Sequence, residues 1–165
     1  MGLDANVFCD CVETNRLKIG HPYPRLLYIA PNGSPEIRSK DLRKVADHDD
    51  WMNRPPCRHE QMILAGCSLG NDGFVSWLRD ALSAAAIARL CPTLLKNVLF
   101  SGTHCGDYLT VRDVGRLADE LDRLDHLNPT ALAVAPQERR HMMASLRRLG
   151  RVAAAALRVN KPIAF

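Results

Sequence analysis

Two short stretches of this 165-residue chain carry donors suited to a metal, Cys9-Asp10-Cys11 and Cys57-Arg58-His59. Residues two apart on an extended backbone point to one face, so each stretch offers a pair of side chains to a common point. Three thiolates and an imidazole together make a tetrahedral zinc shell. The C-x-C and C-x-H spacings are tighter than the about two to four intervening residues usual in zinc knuckles. The competing reading makes Cys9 and Cys11 small core-facing hydrophobes and leaves Cys57 and His59 in a loop.

A second concentration of reactive groups lies between Leu99 and Leu109, where Ser101-Gly102-Thr103-His104-Cys105-Gly106-Asp107-Tyr108 joins an apolar run to a helix start. Glycine tolerates positive φ, so this loop can bend sharply enough to converge His104, Cys105 and Asp107. A thiol enzyme would use the imidazole to deprotonate Cys105 and the carboxylate to orient the imidazole. Side chains of sequence neighbours diverge, however, and Cys-His enzymes draw their partners from distant segments. The reading favoured by the residue types is that Ser101, Thr103 and Asp107 hydrogen-bond the loop backbone and cap the next helix. A third feature is a row of arginines, Arg140, Arg147, Arg151 and Arg158, whose guanidinium forks suit phosphates or an acidic protein face. Aromatic residues are 5% of the chain and none lies on that helix, which disfavours base stacking and hence nucleic acid. Gly70-Asn71-Asp72-Gly73 matches no phosphate-cradling pattern, so no nucleotide cofactor is assigned.

These groups must be held by ordinary elements. Ala5, Val7, Cys9 and Cys11 alternate with polar neighbours and predict a strand over Leu3–Glu13. Pro31-Asn32-Gly33-Ser34-Pro35 predicts a turn joining Arg25–Ala30 to Glu36–Arg38 as a hairpin. Residues 39–53 suit a solvated helix or a loop, and 57–69 read equally as strand or helix. Asn71 or Asp72 caps a helix expected over Phe74–Leu90. Leu94, Leu95, Val98 and Leu99 must pack inward. Thr110 with Asp113 starts a helix carrying Val111, Val114, Leu117, Ala118, Leu121 and Leu124. Pro136 opens another, with Met142, Leu146, Leu149, Ala153 and Ala156 on its buried face. The sum is an α+β fold, a small antiparallel sheet from the N-terminal half against three or more C-terminal helices, in one compact domain over residues 1–165.

Composition fits that size: 47% apolar and 24% charged residues exclude the disordered and membrane classes. The net charge of +4 permits an acidic partner without demanding one. The opening Met1-Gly2-Leu3-Asp4-Ala5-Asn6 has neither the basic nor the apolar region of a secretory leader, which places the chain in the cytoplasm with its six cysteines reduced.

The opening Met1-Gly2-Leu3-Asp4, Cys9-Asp10-Cys11, Cys57-Arg58-His59-Glu60, Leu69-Gly70-Asn71 and Ser101–Asp107 together resemble a group of small uncharacterised bacterial proteins associated with the immunity proteins of polymorphic and type VI secretion toxins. The resemblance spans roughly residues 1–121 and leaves the arginine-bearing helix unmatched. It implies a cytoplasmic protein that binds a cognate toxin and blocks its active site, and it transfers no catalytic residues. A rigid domain can do this with a few desolvated anchors and complementary charge. His104, Asp107 and Tyr108 form the expected contact surface, with Arg140, Arg147 and Arg151 as steering charges. The alternatives are a zinc hydrolase on Cys9, Cys11, Cys57 and His59, a thiol enzyme on Cys105, or a nucleic-acid-binding module.

Overall fold

A computed structural model describes residues 2–101, 104, 106–128 and 131–165, and of Ala85 only the backbone. The first strand, β1, covers Gly2–Phe8 and buries Leu3, Ala5 and Val7 on one face. It stops short of the expected Glu13 because the chain turns at once. Thr14 N–H donates to the Asp10 carbonyl at 2.9 Å and Arg16 N–H to the Cys11 carbonyl at 2.8 Å. Cys9 and Cys11 therefore lie on the bend beyond the strand, though both are buried.

The expected hairpin forms as β2 (Leu27–Ile29) and β3 (Pro35–Ile37). Gly33 takes φ +87° in its turn, where an L side chain would be strained. Residues 42–53 are a helix, α1, capped by the Asp41 carboxylate on Arg43 N–H and burying His48 and Trp51. The ambiguous stretch resolves as a single turn of 3-10 helix, Glu60–Met62, followed by strand β4 over Ile63–Asn71. β4 pairs antiparallel with β1, Ala5 opposite Cys67 and Val7 opposite Ala65. These two neighbours in space thus enclose everything from Cys9 to Met62 as an insertion.

Asn71 caps helix α2 (Asp72–Leu82) by accepting from Phe74 N–H. The helix expected to reach Leu90 breaks at Ser83, whose hydroxyl donates to the Arg79 carbonyl at 2.7 Å, and restarts as the four-residue α3 (Ala85–Ala88). Side-chain bonding back to the preceding turn competes with helix continuation. Leu94–Val98 form one wide π-type turn, with Leu94, Val98 and Leu99 fully buried. The short β5 (Tyr108–Leu109) leads into α4 (Val111–Asp125), where Thr110 caps Asp113 N–H as its spacing predicts. Helix α5 (Pro136–Val159) buries Met142, Leu146, Leu149, Ala153 and Ala156, the predicted face, and Asn160 ends it in a left-handed conformation. The final strand, β6, is Ile163–Ala164.

The main sheet runs β4-β1-β6-β5, every neighbouring pair antiparallel. Its two long strands come from the N-terminal half, as expected, and pack on the C-terminal helices. Its two stub strands come from the C-terminal half and were not foreseen, since two residues carry no readable alternation. One large core joins β1 and β4 to α2, α4 and α5. A separate small core of Cys9, Cys11, Trp51, Cys57 and Met62 lies within the insertion. Among the described residues, no helix is long and apolar enough to cross a membrane.

Candidate metal centre

The insertion leaves the sheet at Phe8 and rejoins it at Ile63, and the four proposed ligands sit at this neck. Cys9 N–H donates to the Met62 carbonyl at 2.8 Å, which extends the β1–β4 ladder by one rung. In the turn just before β4, Gln61 and Met62 take φ +46° and +59°, two consecutive left-handed residues other than glycine. Such conformations are costly and persist only where their surroundings enforce them. Met62 is fully buried against the cysteines, and this backward twist sets the Cys57–His59 segment against the Cys9–Cys11 bend.

The donors converge. Cys9 Sγ lies 3.7 Å from Cys57 Sγ, Cys11 Sγ 3.5 Å from His59 Nδ1, and Cys57 Sγ 3.6 Å from the same nitrogen. All four ligand atoms fall within 4.8 Å of one another, and the group could hold a metal ion. Zinc–sulfur bonds of about 2.3 Å and a zinc–nitrogen bond of about 2.0 Å in a tetrahedron require edges of about 3.8 Å between sulfurs and about 3.5 Å from sulfur to nitrogen. These three of the six separations match those edges.

With no ion bound, burial disfavours the charged form at three of the four donors. Burial pushes the Cys9 thiol up to about 12 and raises Cys11 as well. Thiols so placed stay protonated and unreactive at neutral pH, whereas a bound divalent ion deprotonates its ligand outright. Burial, then the nearby Arg58 and Arg16, lowers the His59 pKa and keeps the imidazole neutral, the form that ligates. Arg58 Nε stands 3.3 Å from His59 Nε2. A metal on Nδ1 would leave the ring proton on Nε2, so the exposed Arg58 side chain must then turn aside.

The other expected site residues are scattered. His104 has its side chain 13% exposed, with its ring 4.2 Å from that of Phe100 and 6.0 Å from that of Phe165. Its Nδ1 is buried without a hydrogen bond and stands 3.9 Å from an Asp107 carboxylate oxygen. Asp107 and Tyr108 are exposed, and Gly106 takes the left-handed φ, +84°, that the loop requires. Cys105, Gly102 and Thr103 lie outside the described residues. Arg140, Arg147, Arg151 and Arg158 are all exposed on α5, and Arg147 Nε donates to Asp125 of α4 at 2.7 Å.

Sequence spacing gave no warning of a second polar cluster in the insertion. His21 accepts from Tyr23 N–H on Nδ1 at 2.9 Å, and its Nε2 lies 3.0 Å from His48 Nδ1. The ring of His21 meets Trp51 edge-on at 4.7 Å, and the Trp51 indole donates to the Ile19 carbonyl at 3.0 Å. This pattern needs neutral His21 with its proton on Nε2. Burial lowers its pKa below 6.5, and the nearby His48 adds to this. A base whose folded pKa is depressed contributes its full stability above the unfolded value and loses it as pH falls toward the folded one. The unfolding free energy from urea titrations should therefore drop between pH 7.5 and 5, by at most about 1.4 kcal/mol per pH unit for this proton. His21→Asn should flatten that drop, and an unchanged slope would remove His21 as its source.

Fold and site together define an α+β protein with a four-donor Cys/His centre at the neck of an insertion. No family model, curated protein or solved structure matches the chain.

Proposed function

We propose that Cys9, Cys11, Cys57 and His59 bind one structural zinc ion, and that the protein so stapled acts by binding another protein. The observation that carries the first part is the convergence of four donor atoms within 4.8 Å, with three of their six separations at the edge lengths of a zinc tetrahedron. Four protein donors close the coordination shell, whereas a catalytic zinc keeps a position for water. Three of the four donors belong to buried residues, which favours a staple over a hydrolytic centre.

The second part rests on the resemblance to immunity proteins and on what such a role requires: a rigid surface and no turnover. The partner in this reading is a cognate secreted toxin, met in the cytoplasm, where the thiols stay reduced. The exposed Asp107, Tyr108 and α5 arginines are available to it.

Metal analysis of protein purified without added zinc should return one equivalent per chain, and cobalt exchange should give the visible bands of a tetrahedral thiolate site. Zinc well below one equivalent, with the chain folded, would overturn the staple. Hydrolysis of ester, amide or phosphoester substrates that vanishes in Cys57→Ser would overturn the binding role instead.

A further inference from the structure

We propose that the free edge of β4 receives an extended segment of a partner protein, which adds as a fifth strand and sets acidic side chains against Arg148 and Arg151. This rests on reading the chain as a binding protein and names the surface it would use.

The sheet has two edges that differ sharply. One is β5, two residues long, too short to template a strand. The other is β4, nine residues, or about 30 Å of extended chain. Among the described residues, no backbone hydrogen bond joins β4 to any element but β1. Alternate N–H and C=O groups along its outer side are therefore without a backbone partner in the fold. Proteins usually blunt such edges with lysine, proline or short strands. Ile63-Leu64-Ala65-Gly66-Cys67-Ser68-Leu69-Gly70-Asn71 contains no proline and no charged residue. The irregularities in its pairing sit toward the ends, opposite Leu3/Asp4 and Val7/Phe8. Between them Ala65 to Ser68 keep an unbroken register that a strand can extend.

Charge selects the occupant. Helix α5, packed against β4, brings Arg148 and Arg151 near this edge: burial raises the Cys67 thiol pKa, these two arginines oppose the rise, and Asp4 adds to it. Arg148 donates to Ser145 Oγ at 2.8 Å, but its Nε is buried without an acceptor. A carboxylate on the added strand, on the α5 side, would answer both guanidinium groups. A second copy of this chain would instead bring the same arginines together across a two-fold axis, where like charges repel.

The test uses the zinc-loaded protein, labelled for amide NMR, and a nine-residue peptide alternating glutamate with valine. Shifts confined to residues 63–71 and slowed exchange of their outer amides are expected. A lysine–valine counterpart should not bind, Arg148→Ala with Arg151→Ala should weaken the acidic peptide about tenfold, and Ser68→Pro should abolish it. No shift at millimolar peptide, equal binding of the lysine peptide, or a β4-mediated dimer of the chain alone would overturn the proposal. Zinc content measured on the same samples keeps its failure separate from failure of the staple.

Discussion

Cys57→Ser is expected to release the metal and loosen residues 9–62 while the large core stays folded. Cys57 lies against Cys9 across the site and against His59 beside it, so its loss removes one donor of the four and one of the two contacts that join the halves, the other being Cys11 with His59. The tie closes a loop of 48 residues between Cys9 and Cys57. A covalent cross-link over that length restrains the unfolded chain by about 4 kcal/mol, and a tight metal acts in the same sense. The cost falls locally because the insertion has its own small core, separate from the one under α4 and α5. Amides of α1 and the β2–β3 hairpin should exchange roughly a thousandfold faster, which is about 4 kcal/mol. Those of α4 and α5 should hardly change. Uniform acceleration would mean that the two cores unfold as one, and no acceleration would mean that the metal does not hold the neck.

Glu120→Ala should lower global stability by about 3 kcal/mol, read as a lower urea midpoint at unchanged slope. Glu120 is 2% exposed, and its two carboxylate oxygens accept from Thr93 N–H at 2.9 Å and Leu94 N–H at 2.8 Å. It thereby caps the wide turn that delivers Leu94, Val98 and Leu99 to the core. Alanine would strand one buried and one half-buried donor and open a cavity beside α4. Glu120→Gln, which keeps one oxygen acceptor, should recover part of the loss. Equal losses in the two variants would point to shape rather than hydrogen bonding.

Neither effect has the same visibility in the amino-acid order. The metal donors were legible because each pair is local and its residue types are uncommon together, although the bend that aims them rests on Gln61 and Met62, which carry no left-handed signature. The long helices were legible from their apolar spacing, down to the Thr110 cap and the Pro136 start. The break at Ser83 was not, since alanines on both sides favour continuation. Glu120 is a charged residue in an amphipathic helix, and only the return of Thr93 and Leu94 across 27 and 26 residues reveals its burial. His21 and His48 likewise meet across 27 residues with nothing local to announce them.

The place of β6 governs how the sheet holds together. Ile163 and Ala164 stand between β1 and β5, pairing with Asn6 on one side and with Tyr108 and Leu109 on the other. Without these residues, the β4–β1 pair and β5 share no rung among the described residues. The insertion and its Cys/His neck close on themselves without β6, but the sheet is joined only when that strand slots into its middle.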